Sequence, residues 1–209
     1  MSSESINIQD LGLRDYQPVW LAMQRFTQQR KHDTEDELWL LEHPPVYTQG
    51  LSGKDHHLLR QTSIPVIKTD RGGQITYHGP GQLVVYPLID LRRRGIGVRT
   101  MISYLENTVI DLLARYKIAA CARKDAPGVY VEQQKIASLG LRVRRGACYH
   151  GISLNVDMDL QPFADINPCG YAEMQMTDIR TLGVHIDMAS VKQQFVSAFL
   201  SQVQQGGKR

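Results

Sequence analysis

From residue 128 onward the chain reads GVYV, KIASLGLRV and HGISLNV, three short apolar runs separated only by EQQ and RRGACY. Connections that short join neighbouring strands through hairpins, so this stretch is predicted to form an antiparallel meander. QLVVYPLIDL, at 82–91, is a longer apolar run rich in β-branched and aromatic residues. It reads as a buried strand, locally weakened by Pro87, which has no N–H to give to a ladder. ELWLLEH, the VYT after Pro44 and Pro45, and IPVIKTD read as further short strands and loops. Helical spacing appears in three places: Tyr16, Val19, Trp20, Met23 and Phe26 near the start; Ile102, Leu105, Val109, Leu112, Leu113 and Tyr116 after the loop RRRGIGVR; and Val191, Phe195, Ala198 and Phe199, with Asp187 as a cap. Residues 158 to 185 have no clear period. Helices at the ends and middle with strands between them predict a mixed sheet covered by helices.

A chain of 209 residues, 42% hydrophobic and 22% charged, is long enough for one sizeable core. No linker, charge block, low-complexity tract or internal repeat divides it, so residues 1–209 are expected to form a single domain. The formal charge of +3 is too small to argue for nucleic acid. MSSESINIQD lacks both a basic and an apolar segment, and no apolar run reaches membrane-spanning length, so a cytoplasmic enzyme or binding protein is expected.

The chemistry-bearing residues are few. The three cysteines, Cys121, Cys148 and Cys169, form no CxxC pair of the kind a zinc or redox site uses, and no metal site is expected. Cys121 and Cys148 read as packing residues. Cys169 stands between Pro168 and Gly170, which predicts a tight, exposed turn, so a packing role and a nucleophilic role both stay open. A catalytic thiol needs a cation or a base beside it. His78 and His150 could each supply an imidazole, or could be hydrogen-bonded strand-end residues. Lys135 opens the KIASLGL strand; spacing alone favours an edge residue with its head in water, but an ammonium held against Cys169 would favour the thiolate and could shuttle protons.

RGGQITYHGPGQ, at 71–82, packs four glycines around Thr76, Tyr77 and His78. It has neither the GxGxxG spacing before a helix nor a GK[ST] ending, so it is neither a dinucleotide fingerprint nor a P-loop. It reads either as a glycine-rich hairpin beside a strand or as a backbone wall along a narrow ligand channel. Arg92, Arg93 and Arg94, and separately Arg142, Arg144 and Arg145, are charge runs beside turns: ordinary solvated surface, or a basic face for an acidic protein.

RGGQITYHGPGQLVVYPLIDL, KIASLGLRV, HGISLNVDMDL and the NPCG turn together, in this order, resemble the lipoyl(octanoyl) transferases of the biotin and lipoate protein ligase superfamily. The resemblance spans nearly the whole chain and implies a single α+β domain built on a mixed, largely antiparallel sheet covered by helices, like the catalytic domain of the biotin and lipoate protein ligases. It implies octanoyl transfer from acyl carrier protein to a lysine of apo lipoyl domains, those of 2-oxoacid dehydrogenase complexes and the glycine cleavage H protein, through a cysteine thioester and without cofactor. It carries the nucleophile onto Cys169 and the lysine partner onto Lys135. Arg71, Gly72, Gly73, Gln74, Ile75, Thr76, Tyr77, His78, Ser138, Leu139, Gly140, Gly151, Ile152 and Ser153 are then expected to line the acyl site. The rivals are an ATP-dependent lipoate or biotin protein ligase, which has no use for a nucleophilic cysteine, and a noncatalytic acyl-binding or scaffold protein.

Overall fold

The computed structural model describes residues 5–167 and 174–206. Along the chain the elements are β1 (Ile6–Leu13), α1 (Tyr16–Gln29), β2 (Asp36–Glu42), β3 (Val46–Gln49), β4 (Val66–Lys68), β5 (Ile75–His78), β6 (Gln82–Asp90), α2 (Val98–Ala114), β7 (Cys121–Ala122), β8 (Gly128–Val131), β9 (Gln134–Arg144), β10 (Ala147–Asn155) and α3 (Met188–Gly206). The predicted meander is β8, β9 and β10. It extends a seven-stranded sheet of order β1-β2-β6-β10-β9-β8-β7, while β4-β3-β5 form a small second sheet. Only β1 with β2 and β3 with β4 pair in parallel, so the sheets are mixed and largely antiparallel, as expected.

Every residue of β6 is buried because helices cover the sheet on both sides. Strand alternation divides them. Leu83, Val85 and Ile89 face the main core under α2 and α3, with Leu38, Leu40, Ile152 and Leu154 from neighbouring strands. Val84, Tyr86 and Leu88 face α1, where Val19 and Met23 pack with Trp39, Leu41 and Tyr149. In α2 the buried residues Met101, Leu105, Thr108, Val109, Leu112 and Leu113 repeat at helical spacing. Asp187 accepts hydrogen bonds from the Ser190 N–H and hydroxyl, each 2.8 Å, and so caps α3 as expected.

Pro87 leaves its mark on this sheet. The β6–β10 register runs through Cys148↔Ile89 and resumes at Ile152↔Val85, lapsing opposite the proline. In the lapse His150 takes φ 57°, in the left-handed region that a side chain other than glycine seldom adopts. Gly151 lets the strands stay close, since a Cβ there would lie 1.9 Å from the Val85 carbonyl oxygen. Three strands were not anticipated: β1, whose INIQDLGL mixes apolar and polar residues at the sheet edge, β5, inside the glycine stretch, and the two-residue β7.

Of the first arginine run, Arg92 is exposed but Arg93 and Arg94 are not solvated surface. Arg93 and Arg94, with Arg30, converge on the fully buried carboxylate of Asp36 at 2.7, 2.6 and 2.9 Å. Arg142 and Arg144, by contrast, are exposed along β9.

Candidate functional site

The glycine stretch closes over the meander and encloses a cleft. Of the expected acyl-site residues, Arg71, Gly73, Gln74, Ile75, Thr76, His78, Ser138, Leu139, Gly140, Gly151, Ile152 and Ser153 line it together. Tyr16, Val84, Tyr86 and His150 line it as well. Gly72 and Tyr77 do not. The Gly72 N–H donates to the Leu141 carbonyl (3.1 Å), tying the stretch to β9, and Tyr77 turns away to pack against Tyr47 and Phe163.

Both readings of the glycines hold at different positions. A Cβ on Gly140 would stand 2.7 Å from the Gly72 carbonyl oxygen, so β9 and the stretch meet backbone to backbone. Gly73 instead faces the cleft, at φ 86°. Arg71 holds this arrangement: its guanidinium donates to the carbonyls of Thr48, Gln74 (2.7 Å) and Gly72 (2.8 Å) and to the Thr48 hydroxyl (3.0 Å). A buried guanidinium directed at backbone carbonyls works here as a clamp on the loop.

One end of the cleft is polar but uncharged. His78 donates from Nδ1 to the Gln82 side chain (2.7 Å), leaving Nε2 near the Thr48 hydroxyl at 3.4 Å. Behind it His43 donates from Nδ1 to the Arg14 carbonyl (2.6 Å) and accepts at Nε2 from the Tyr86 hydroxyl (2.8 Å). Each ring is satisfied as a neutral imidazole. Burial pushes His43 down to about 4 and His78 down to about 3. His150 points Nε2 at Asp70 (2.9 Å) and Nδ1 towards the Tyr16 hydroxyl (3.4 Å), and its burial outweighs the pull of that carboxylate, so it too is lowered. Burial alone would raise Asp70, but hydrogen bonds from His150, Tyr149 and Trp20 hold its carboxyl well below the usual range.

Tyr16, Asp70 and His43 were missed in the sequence because nothing local marks them. Tyr16 reads as the first core position of a helix, and Asp70 as the polar end of a strand. Their meeting depends on contacts such as Trp20 to Asp70, 50 positions apart.

Lys135 is not an edge residue with its head in water. It is fully buried, its Nζ donates to the Pro127 carbonyl at 2.9 Å, and it lies 5.3 Å from the Tyr130 ring centroid. Its backbone N–H donates to the Gln175 carbonyl (2.8 Å) and its carbonyl accepts from the Thr177 N–H (3.1 Å). Residues 175 to 177, which follow the NPCG motif in sequence, are therefore bonded alongside Lys135. Cys169 itself, with Pro168 and Gly170, lies outside the described residues. Of the other thiols, Cys121 is exposed, whereas Cys148 is buried and its thiol pushed up to about 12 by burial.

Comparison with known proteins follows the same lines. The chain is 58% identical over 183 residues to a protein of Shewanella oneidensis named octanoyltransferase, covering 88% of this chain and 84% of that one. It is 60% identical over 182 residues to an octanoyltransferase of Chromobacterium violaceum, covering 87% and 88%. Among solved structures, a lipoate-protein ligase A bound with ATP aligns with TM-score 0.77 at 14% identity, covering 95% of this chain and 85% of that one. A biotin protein ligase from Aquifex aeolicus aligns with TM-score 0.58 at 13% identity, covering 100% and 73%. These two share the fold. The lipoyl protein ligase A/B catalytic domain matches residues 15–200, and the chain belongs to that family.

Proposed function

We propose that residues 1–209 form one octanoyltransferase domain, which moves an octanoyl group from acyl carrier protein to a lysine of apo lipoyl domains through a thioester on Cys169. The observation that carries this reading is the fully buried Lys135, whose backbone is bonded to Gln175 and Thr177, in the segment a few positions after Cys169 in sequence. A buried ammonium beside that segment is suited to stabilising a thiolate. The names of the relatives support the same acyl group.

The chemistry closes on itself. The Cys169 thiolate attacks the carrier thioester, and the departing thiolate takes the proton of the Lys135 ammonium. The neutral Lys135 amine then accepts the proton of the incoming lysine as that amine attacks the acyl-enzyme. Cys169 leaves as thiolate, and the starting charges are restored. Each acyl bond broken is a thioester, so no ATP enters. The cleft suits a saturated chain: Ile75, Val84, Leu139 and Ile152 supply apolar walls, and its histidines are neutral. Apo lipoyl domains of 2-oxoacid dehydrogenase complexes and the glycine cleavage H protein are the acceptors of this proposal, and the cytoplasm its compartment. Among the described residues no helix is long and apolar enough to cross a membrane.

The intact mass of the purified protein, after mixing with octanoyl-loaded carrier and no nucleotide, tests the reading. The parent, Cys121→Ala and Cys148→Ala are expected to gain one octanoyl group and pass it to a lipoyl domain; Cys169→Ala is expected to do neither. Transfer only with free octanoate and ATP would make the chain a ligase. Stoichiometric binding with no adduct and no turnover would make it an acyl-binding protein.

A further inference from the structure

Glu106 lies on the inner face of α2, is 8% exposed, and has no part in the cleft. Its Oε1 accepts a hydrogen bond from the Gly128 N–H at 2.8 Å. The carbonyl of that same peptide unit, belonging to Pro127, accepts from Lys135 Nζ at 2.9 Å. A carboxylate, a peptide and an ammonium are thus joined in one line. Gly128 makes the line possible: at φ 138° a Cβ would come within 2.5 Å of Lys135 Cε and 3.1 Å of Nζ, so the lysine side chain lies directly over the glycine Cα.

We propose that Glu106 is a positioning residue for Lys135, fixing the Pro127–Gly128 peptide and, through it, holding the ammonium in place and charged. The inference rests on the reading of Lys135 as the proton-transfer partner of Cys169. A carboxylate hydrogen-bonded to a peptide N–H polarises the unit and makes its carbonyl a stronger acceptor, so each bond strengthens the other. Buried glutamates are costly and need a reason. Burial raises the Glu106 carboxyl, while the Gly128 N–H and the charge of Lys135 oppose the rise. Among the described residues, Lys135 has about it Glu106 from α2, Tyr130 from β8 with the Arg123 guanidinium over the same ring, the Pro127 carbonyl, and Gln175 and Thr177 beside its backbone.

The decisive comparison is Glu106→Gln with Glu106→Met, against the parent and Lys135→Met. Glutamine keeps an acceptor for the Gly128 N–H but removes the charge; methionine removes both. For charges about 8 Å apart at an effective permittivity of about 20, losing the carboxylate should move the alkaline limb of the transfer rate down by about 1.5 pH units. The ε-carbon titration of Lys135, followed by NMR and assigned by its absence in Lys135→Met, should move with it. Glu106→Gln is expected to melt near the parent, and Glu106→Met to lose at least tenfold in kcat with little change in KM. A Glu106→Gln protein matching the parent at every pH, in both rate and NMR titration, would reduce Glu106 to a tie between helix and sheet and overturn the proposal. If Lys135→Met transfers at the parental rate, the reading of Lys135 fails, while the NMR titration still decides whether Glu106 acts on it.

Discussion

Acid should unfold this protein earlier than its carboxylates require, because the end of the cleft is built from neutral histidines. His43 and His78 are lowered to about 4 and about 3, against an ordinary value near 6.5 in the unfolded chain. Between those limits the unfolded chain binds more protons than the folded one. The stability these rings contribute is therefore complete above pH 6.5 and falls as the pH drops towards the folded values. At pH 5 each ring costs about 2 kcal/mol relative to pH 7.5, so the two together remove about 4 kcal/mol from a total that is commonly 5–15 kcal/mol. Below pH 4 the depressed carboxyl of Asp70 adds to the loss, since it is ionised in the folded state where the unfolded group has begun to protonate. Measuring at pH 5 keeps the histidine effect nearly separate. Urea unfolding of the parent at pH 7.5 and 5.0 is expected to show this loss, with His43→Asn and His78→Asn each losing about half as much between the two pH values. Imidazole NMR should show neither ring titrating down to pH 5 in the folded protein. Both rings stay neutral over this range, so transfer per folded molecule should follow the thiol and not these rings. A stability that is flat from pH 7.5 to 5.0, or a ring titrating near 6.5 in the folded state, would refute the argument.

Four further outcomes follow from local geometry. Gly73 sits at φ 86°, and a Cβ there would meet nothing closer than Arg71 Nη1 at 3.4 Å; Gly73→Ala and Gly73→Val should therefore lower stability alike, by about 1–2 kcal/mol, and cut transfer of hexanoyl to decanoyl groups to the same degree. Gly151→Ala places a methyl 1.9 Å from the Val85 oxygen and 2.8 Å from Pro87 Cδ, and chemical denaturation should show a loss of about 3 kcal/mol. Asp36→Ala strips the buried carboxylate from three guanidiniums and should cost about 3–5 kcal/mol, whereas Arg142→Glu with Arg144→Glu should leave the melting temperature near the parent and flatten the salt dependence of kcat/KM with a protein donor.

The sequence by itself determined the parts of this protein that depend on local periodicity. The unbroken apolar run of QLVVYPLIDL made a buried strand, the spacing from Ile102 to Tyr116 made a core-facing helix, and the short links after residue 128 allowed little but a meander. The motif order carried the family, and with it most of the residues that line the cleft. Tertiary structure decided what each polar side chain does, because that depends on what lies across space. Lys135 heads an apolar strand in either reading, and only the turn at Pro127 and the helix bearing Glu106 make it a buried ammonium with a carbonyl to hold it. Arg93 and Arg94 look like surface until Asp36, more than 50 positions earlier, takes them. His78 and His150 could have been bases. The fold makes them weaker bases than a free imidazole, because burial penalises their protonated forms more than the nearby acceptors favour them.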